Sequence, residues 1–445
     1  MASSKITRRR VVAGTVAAST FVAAPFVRGA YAAGKLAIGL WDHWVPGANE
    51  ACKATIDQWA AKEKVEVQVD FITSQGNKLL LTGAAQAQAK SGHDIFTLTT
   101  WLPARYANVL VPLNDVMDGL IKQNGPVNGT TEYLGKVNGQ WLGVPATWGS
   151  QIKGPCSRID LMKQLAGIDV QEMYPAGSPP KADNWTFDTF LKAAEACHKG
   201  GYPFGIGLGT TGDNVDTAGA IFNGYGAMLV DAKGNITVKS DPVRQALDYY
   251  KRLAAFLPPD APSWDDASNN KWLISGRGAM IMNPPSAWAV AKRDAPKICE
   301  QLWTHGFAQG PKGRFAPYVQ FFWNVWNFGK NQSAAKSLIV HLSQQAAAEK
   351  MVAASAGYDL PPFNSFTTFK TWAEEGPPKG TLYHYPNPHN HQTLSVPAFP
   401  APHKIAEQIS VQALQTQMVV RYMKGEAMEK TLAWAEGELD GFMRN

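Results

Sequence analysis

The sequence predicts an α/β protein of two lobes, and three observations carry that prediction. Period-two and helical hydrophobic patterns alternate along the first hundred residues. That strand–helix order argues a largely parallel sheet. About 410 residues remain after an N-terminal export signal, more than one ordinary core accommodates.

The signal comes first in the chain. Thr7-Arg8-Arg9-Arg10-Val11-Val12 is followed by an apolar run to Val27 and by Ala30-Tyr31-Ala32. This is a basic region, a hydrophobic region and a small-x-small cleavage site. The arginine pair resembles a twin-arginine export signal, so the mature chain is expected to start near Ala33 and to work in the periplasm. Thr15, Ser19, Thr20 and Pro25 interrupt the run, and Arg28 ends it, which falls short of a membrane-spanning helix. No Cys stands at the cleavage site, since the first is Cys52, so a lipid anchor is not expected.

The signal also dominates the charge. The chain has 42 Lys+Arg against 36 Asp+Glu, a net +6. Lys5, Arg8, Arg9, Arg10 and Arg28 leave with the signal, so the remainder is close to neutral. A basic nucleic-acid-binding face therefore loses its support. Four cysteines, Cys52, Cys156, Cys197 and Cys299, are too few for a disulfide scaffold. A chain folded in the reducing cytoplasm before export is expected to keep them as buried thiols, with room for one late-formed pair.

Lys35 to Trp41 reads as the first strand. Asn49 to Lys64 is amphipathic, with Ala51, Ile56, Trp59 and Ala60 inward. Val65 to Phe71 alternates as a second strand, Asn77 to Lys90 is a second helix, and Asp94 to Leu98 is a third strand. Thr186 caps a helix carrying Phe187, Phe190, Leu191 and Ala194 at helical spacing. Phe204 to Leu208 reads as a short strand and Asp231 to Asn235 as a turn. Asp241 and Pro242 open a helix with Val243, Ala246, Leu247, Tyr250 and Leu253 on one face. Gly278 to Met282 reads as a strand, and Ser333 to Ser355 as one long Ala-rich helix stopped at Gly357.

Three sets of residues invite chemistry. Gly207-Leu-Gly209-Thr-Thr-Gly212 matches the dinucleotide string GxGxxG, but Asp213-Asn-Val-Asp216 follows where a helix should begin, so a loop is expected. His384, His389, His391 and His403 have spacings that could hold zinc or copper, yet no carboxylate lies between them, and a solvated loop is expected. Asp42, Asp213 and Asp265-Asp266 could pair into a glycosidase site if folding brought them within ~5–9 Å. HExxH, Walker A and GxSxG strings are missing from the sequence.

The fifteen tryptophans say more. Trp41 and Trp44 flank the end of the first strand, Trp101 follows the third, and Trp148 follows Gly143-Val-Pro145. Trp288, Trp323 and Trp326 sit near later strands, whereas Trp59 belongs to the core face of a helix. Ligands of α/β sheets bind beyond the carboxyl ends of strands. An indole offers a flat apolar face and one N–H donor, which suits a ligand with C–H faces and hydroxyl edges.

In this order the landmarks resemble the family 1 extracellular solute-binding proteins of ABC importers, in the sugar-binding branch that includes maltose-binding protein. The resemblance rests on His93-Asp-Ile-Phe96 with Leu110-Val-Pro-Leu-Asn-Asp115, on Val137-Asn-Gly-Gln-Trp-Leu-Gly-Val-Pro145, on Asn184-Trp-Thr-Phe-Asp-Thr-Phe190, on Ile274-Ser-Gly-Arg-Gly-Ala-Met280, and on Ala335 to Leu342 with Gly357-Tyr-Asp-Leu-Pro361. Two places depart from it. Cys156-Ser157-Arg158 replaces the usual Tyr-Asn, and Phe321-Phe-Trp-Asn-Val325 replaces a less aromatic strand, so an unusually apolar cleft is expected.

The resemblance implies a two-lobed periplasmic-binding-protein fold, type II-like, with a hinge and an interlobe ligand cleft. Residues 1–32 would be the signal, 33–146 and 285–330 the N-terminal lobe, and 147–284 and 331–445 the C-terminal lobe. It implies a periplasmic, monomeric binding component that hands a carbohydrate or polyol to the permease subunits of an ABC importer. No enzyme activity, cofactor, metal or nucleic-acid partner is implied. Trp41, Asp42, Trp44, Trp101 and Trp148 are expected from one wall of the cleft. Asp213, Asn223, Trp288, Tyr318, Phe322, Trp323 and Tyr358 are expected to complete it. The competing readings are a periplasmic hydrolase, a cofactor-loaded oxidoreductase, and a binding protein for a polyamine, metal or organic anion.

Overall fold

The computed structural model describes residues 34–282, 284–366, 368–385 and 391–444. The export signal and His389 lie outside the described residues.

The chain opens with β1 (Lys35–Trp41), α1 (Pro46–Glu63), β2 (Glu66–Ile72), α2 (Lys78–Ala89) and β3 (Ile95–Thr99). Pro46 starts α1, where a missing N–H costs nothing, and Lys64 in the left-handed region closes it. Cys52, Thr55, Ile56 and Trp59 bury one face at helical spacing. β1 lies parallel between β2 and β3, Lys35 opposite Glu66 and Ile38 opposite Ile95.

Next come β4 (Val144–Pro145), β5 (Gln151–Ile152), β6 (Pro155–Arg158), α3 (Phe187–Lys199) and α4 (Gly212–Tyr225). Thr186 caps the start of α3, as the sequence predicts, and Thr189 makes the cap reciprocal. Then follow β7 (Met280–Met282), β8 (Leu302–Thr304), β9 (Gln309–Gly310), β10 (Gly313–Val319) and β11 (Phe321–Val325). The chain continues through α5 (Gln332–Leu342), α6 (Gln345–Ala354), β12 (Thr393–Ser395) and α7 (His403–Val411).

The strands form separate sheets. One has the order β2-β1-β3-β11-β4, with β11 antiparallel to both neighbours. A second has the antiparallel order β8-β6-β7. In the third, β10 pairs with β9, β12 and β5. Helices α5 and α6 pack on α1, where the Trp59 indole donates to Ser337 Oγ at 3.3 Å.

The chain passes between the first and third sheets at two adjacent places, 145–151 and 319–321. Ser150 ties them together. Its hydroxyl donates to Ala146 O at 2.7 Å and accepts from Phe321 N at 3.0 Å and Gln320 Nε2 at 2.8 Å. Asp359, from a third segment, accepts from Gly149 N at 2.6 Å and contacts His43 Nε2 at 3.2 Å.

Three expectations need correction. Phe204 to Leu208 is not a strand: it makes one bridge, Gly205 to Ile281, and Leu208 N then turns to Ala261 O. The Ala-rich segment is two helices, because Gln344 is extended and becomes the cap of α6. The Ser343 hydroxyl, bonded back to Ile339 O, helps close the first. Finally, a helix does start at Gly212, directly after the GxGxxG string. The four cysteines are free and buried.

Candidate functional site

A cleft of about 380 Å³ opens beyond the carboxyl ends of β1 and β3, where the topology of α/β sheets places ligands. Trp41, the last residue of β1, stands on one side with Trp44, Thr99, Thr100 and Trp101. Facing them are Gln151 of β5, Lys153, Thr211, the first turns of α4 with Asp213 and Asp216, and Asp266.

The aromatic wall is braced from behind. The Trp41 ring lies 5.2 Å from Phe321, 4.8 Å from His43 and 6.1 Å from Tyr358. Trp148 donates its indole N–H to Trp41 O at 3.1 Å. Gly149 has φ +73°, and a Cβ there would stand 2.9 Å from the Trp41 ring. Gly149→Ala is therefore expected to cost about 2 kcal/mol and to displace Trp41. Urea unfolding checks the first part, and the Trp emission of the folded variant the second.

Trp101 is held by an unusual backbone. Thr100 before it is β-branched yet sits at φ 45°, with its N–H bonded to Gln320 O at 2.8 Å. Such a residue costs about 1–3 kcal/mol, and such strain clusters at functional positions. Trp101 packs edge-on against Tyr133 at 5.5 Å. It is 2 % exposed, and its Nε1–H has no hydrogen-bond partner.

The polar wall is built on Lys153. Its ammonium lies 2.6 Å from Asp213 Oδ1 and 2.8 Å from Asp216 Oδ2, with all three side chains nearly inaccessible. Asn269 donates to Asp213 Oδ2 at 3.1 Å. Burial disfavours the Lys153 charge, but the two carboxylates outweigh it and hold the ammonium above its ordinary pKa. Burial likewise raises Asp216, against the pull of Lys153. Asp266 is pushed up to about 6, first by burial and then by the charge of Asp213, while Lys153 and the Thr211 hydroxyl oppose the shift.

This arrangement disfavours a phosphate at the GxGxxG string. The first turn of α4 already holds Asp213, with Asp216 one turn on. These carboxylates use the helix dipole and would repel a pyrophosphate. Gly207 and Gly209 serve packing, since a Cβ would stand 2.1 Å from Asn214 on the first and 2.7 Å from Trp264 O on the second.

Of the twelve residues expected at the cleft, four line it: Trp41, Trp44, Trp101 and Asp213. Trp148 and Tyr358 stand behind Trp41. The others lie elsewhere. Asp42 is exposed and accepts from Asn49 Nδ2 at 2.8 Å. Asn223, near the end of α4, donates to Ser395 Oγ at 2.6 Å. Trp288 is buried, with its indole on Pro377 O at 3.1 Å. Tyr318 Oη bonds Thr131 and Gln320 inside the fold. Phe322 and Trp323 are buried in the first sheet, and Phe322 covers Gly135 and Gly143.

Only Phe321 of the aromatic segment, at the start of β11, reaches the cleft; alternation turns Phe322 to the opposite face, and Trp323 shares the face of Phe321 but lies two residues further along the strand, opposite Thr97. The expectation of an unusually apolar cleft is thus corrected by Lys153 and three aspartates. Cys156 is buried and Ser157 Oγ bonds His305 Nε2 at 2.8 Å, so this replaced pair works inside the fold.

The sequence reading missed Gln151, Lys153 and Asp216. A signal existed for each. Gln151 and Lys153 are two apart in an extended segment and share a face. Asp213 and Asp216 are three apart on one helix and also share a face. Asp213 and Asp266, named together as possible partners, do meet electrostatically, while Asp42 does not join them.

The described histidines of this set have separate partners. His384 bonds Pro175 O at 2.8 Å, His391 bonds Tyr174 Oη at 2.5 Å, and His403 stacks on Tyr133 at 4.6 Å. Burial lowers the pKa of His384, and that of His391 to about 4. Among the described residues no group of three His, Cys, Asp or Glu is placed to hold a metal. Nor is any described helix long and apolar enough to cross a membrane.

The chain belongs to the bacterial extracellular solute-binding proteins, whose family model matches residues 54–376. This is a family of binding proteins rather than enzymes. The fold is similar to that of maltose-bound MalE3 of T. maritima, at a TM-score of 0.70 and 17% identity over 92% of this chain and 99% of that one. It is similar to the GacH receptor of Streptomyces glaucescens, whose structures include complexes with acarbose, at 0.70 and 16% over 93% and 99%. An ABC transporter solute-binding protein of Thermotoga lettingae bound with α-D-tagatose matches at 0.71 and 18% over 92% and 99%. No curated protein matches the chain significantly in sequence.

Proposed function

We propose that this protein captures a carbohydrate or polyol in the cleft and delivers it to the permease of an ABC importer in the periplasm. The observation that carries the reading is the facing pair of walls. Trp41, Trp44 and Trp101 present indoles, and Gln151, Asp213 and Asp266 present acceptors. Indole faces suit the C–H faces of a sugar, and carboxylates suit paired hydroxyls. The sugars bound by similarly folded proteins support the same class. In this reading Trp41, Trp44, Trp101 and Asp213 touch the ligand, and Trp148 and Tyr358 position Trp41.

Strand pairing supports two lobes with a boundary different from the expected one. Residues 302–319 pair with β6, β5 and β12, so the return to the first lobe falls near Gln320. Helices α5 and α6 then belong with α1 in the first lobe. The Ser150 crossing serves as the hinge, and closure around the ligand creates the form the permease recognises. The protein acts as a monomer, without cofactor, nucleic acid or catalysis. Asp213 is engaged by Lys153 and Asn269, which disfavours it as a glycosidase nucleophile.

Thermal unfolding of the purified protein with sugars, polyols, polyamines and metals tests the reading. A true ligand at 100 times its Kd adds about 2.7 kcal/mol. The reading fails if no carbohydrate or polyol raises the transition and a metal or nucleotide does.

A further inference from the structure

We propose that the cleft selects a sugar carrying one ammonium group, an amino sugar, over its neutral counterpart. The inference rests on the carbohydrate reading above and deepens it.

Charge is the first ground. Three carboxylates, Asp213, Asp216 and Asp266, line the cleft, and Lys153 is the only cation among its described lining residues. Lys153 is committed to Asp213 and Asp216 at 2.6 and 2.8 Å. Among the described lining residues Asp266 thus has no cation except the already committed Lys153, in a place too buried for water to screen it well.

Hydrogen bonding is the second ground, and it is independent of charge. Asp266 Oδ1 and Gln151 Oε1 are buried acceptors without a partner, and Gln151 is 7 % exposed. On this wall the unmet need is for donors. An ammonium supplies three donors and no acceptor, whereas a hydroxyl supplies one donor and must itself be satisfied. Across the cleft the need is reversed: Trp101 Nε1–H lacks an acceptor, which a ring or hydroxyl oxygen provides. A ligand with an amine at one edge and oxygens at the other meets all three orphan atoms. The indoles of Trp41 and Trp44 stack on the ring and also favour a nearby cation.

Calorimetric titration of the protein at pH 7.0, where most of the amine is protonated, with glucosamine against glucose and N-acetylglucosamine tests the assignment. The aminated sugar is expected to bind at least tenfold tighter. Asp266→Asn is expected to remove most of that preference, and Gln151→Ala to reduce it in part. Equal or tighter binding of the neutral sugars overturns the inference and leaves the carbohydrate reading standing. So does an Asp266→Asn variant that retains the full preference. Binding of spermidine or putrescine with no response to any sugar overturns both.

Discussion

Lys153→Met is expected to cost the fold about 3–5 kcal/mol at neutral pH, the usual penalty for breaking a buried ion pair by removing one partner. The substitution keeps much of the stem's volume and deletes the charge. Asp213 and Asp216 then face each other without the ammonium now 2.6 and 2.8 Å away. Both must take up protons or draw in water. The loss should therefore be largest above neutrality and shrink as pH falls through the carboxylate range, where protonation removes the repulsion. Adding Asp213→Asn and Asp216→Asn should restore most of the stability, because the network is costly only when half complete. Urea unfolding at pH 7.5 and pH 5 measures each. A loss below 1 kcal/mol for the single variant would mean the cluster is hydrated and not a buried triad.

Asp266→Asn should act in the opposite direction. An acid whose pKa in the fold is about 6, against 3.8 ordinarily, ionises at the expense of the fold. That cost is absent where the carboxyl is protonated in both states. It grows between the two values and is complete above the higher one, at roughly 2–3 kcal/mol. The amide has no charge to lose, so the variant should be more stable than the parent at pH 7.5. The gain should fade as pH drops from 6 to 4. A gain that does not vary with pH would point to packing instead of charge. Stability gained by removing a charged group from a cleft is the mark of a residue kept for binding.

The first hundred residues were the most legible. Their two periodicities differ clearly, and local hydrophobic pattern alone placed β1, α1, β2, α2 and β3 within a few residues. The Thr186 N-cap was equally plain, because a cap acts on backbone N–H groups only two or three residues on. What stayed hidden depended on tertiary partners. Gln344 breaks a helix that its own sequence would continue. Phe204 to Leu208 has strand composition but finds a single bridge. At the cleft, aromatic residues next to strand ends were found, because the end of a strand is a place the sequence marks. Phe322 and Trp323 stand away from the cleft for two reasons that need the fold: the register turns Phe322 to the other face of the sheet, and Trp323 lies two residues past the strand end that borders the cleft. Lys153 reads as a solvent-facing residue until its two aspartates, 60 residues and more away in sequence, are folded against it.

The position of β11 has a kinetic consequence. It sits inside the first sheet, between β3 and β4, although more than 200 residues separate it from β3. The sheet that begins at Lys35 cannot be finished until the ribosome has passed Val325, nearly three-quarters of the way along the chain. Contacts so distant in sequence form slowly. Until β11 arrives, β3 presents an open edge, which is a template for aggregation. A chain assembled in this order benefits from a chaperone that covers the edge of β3 until β11 is made.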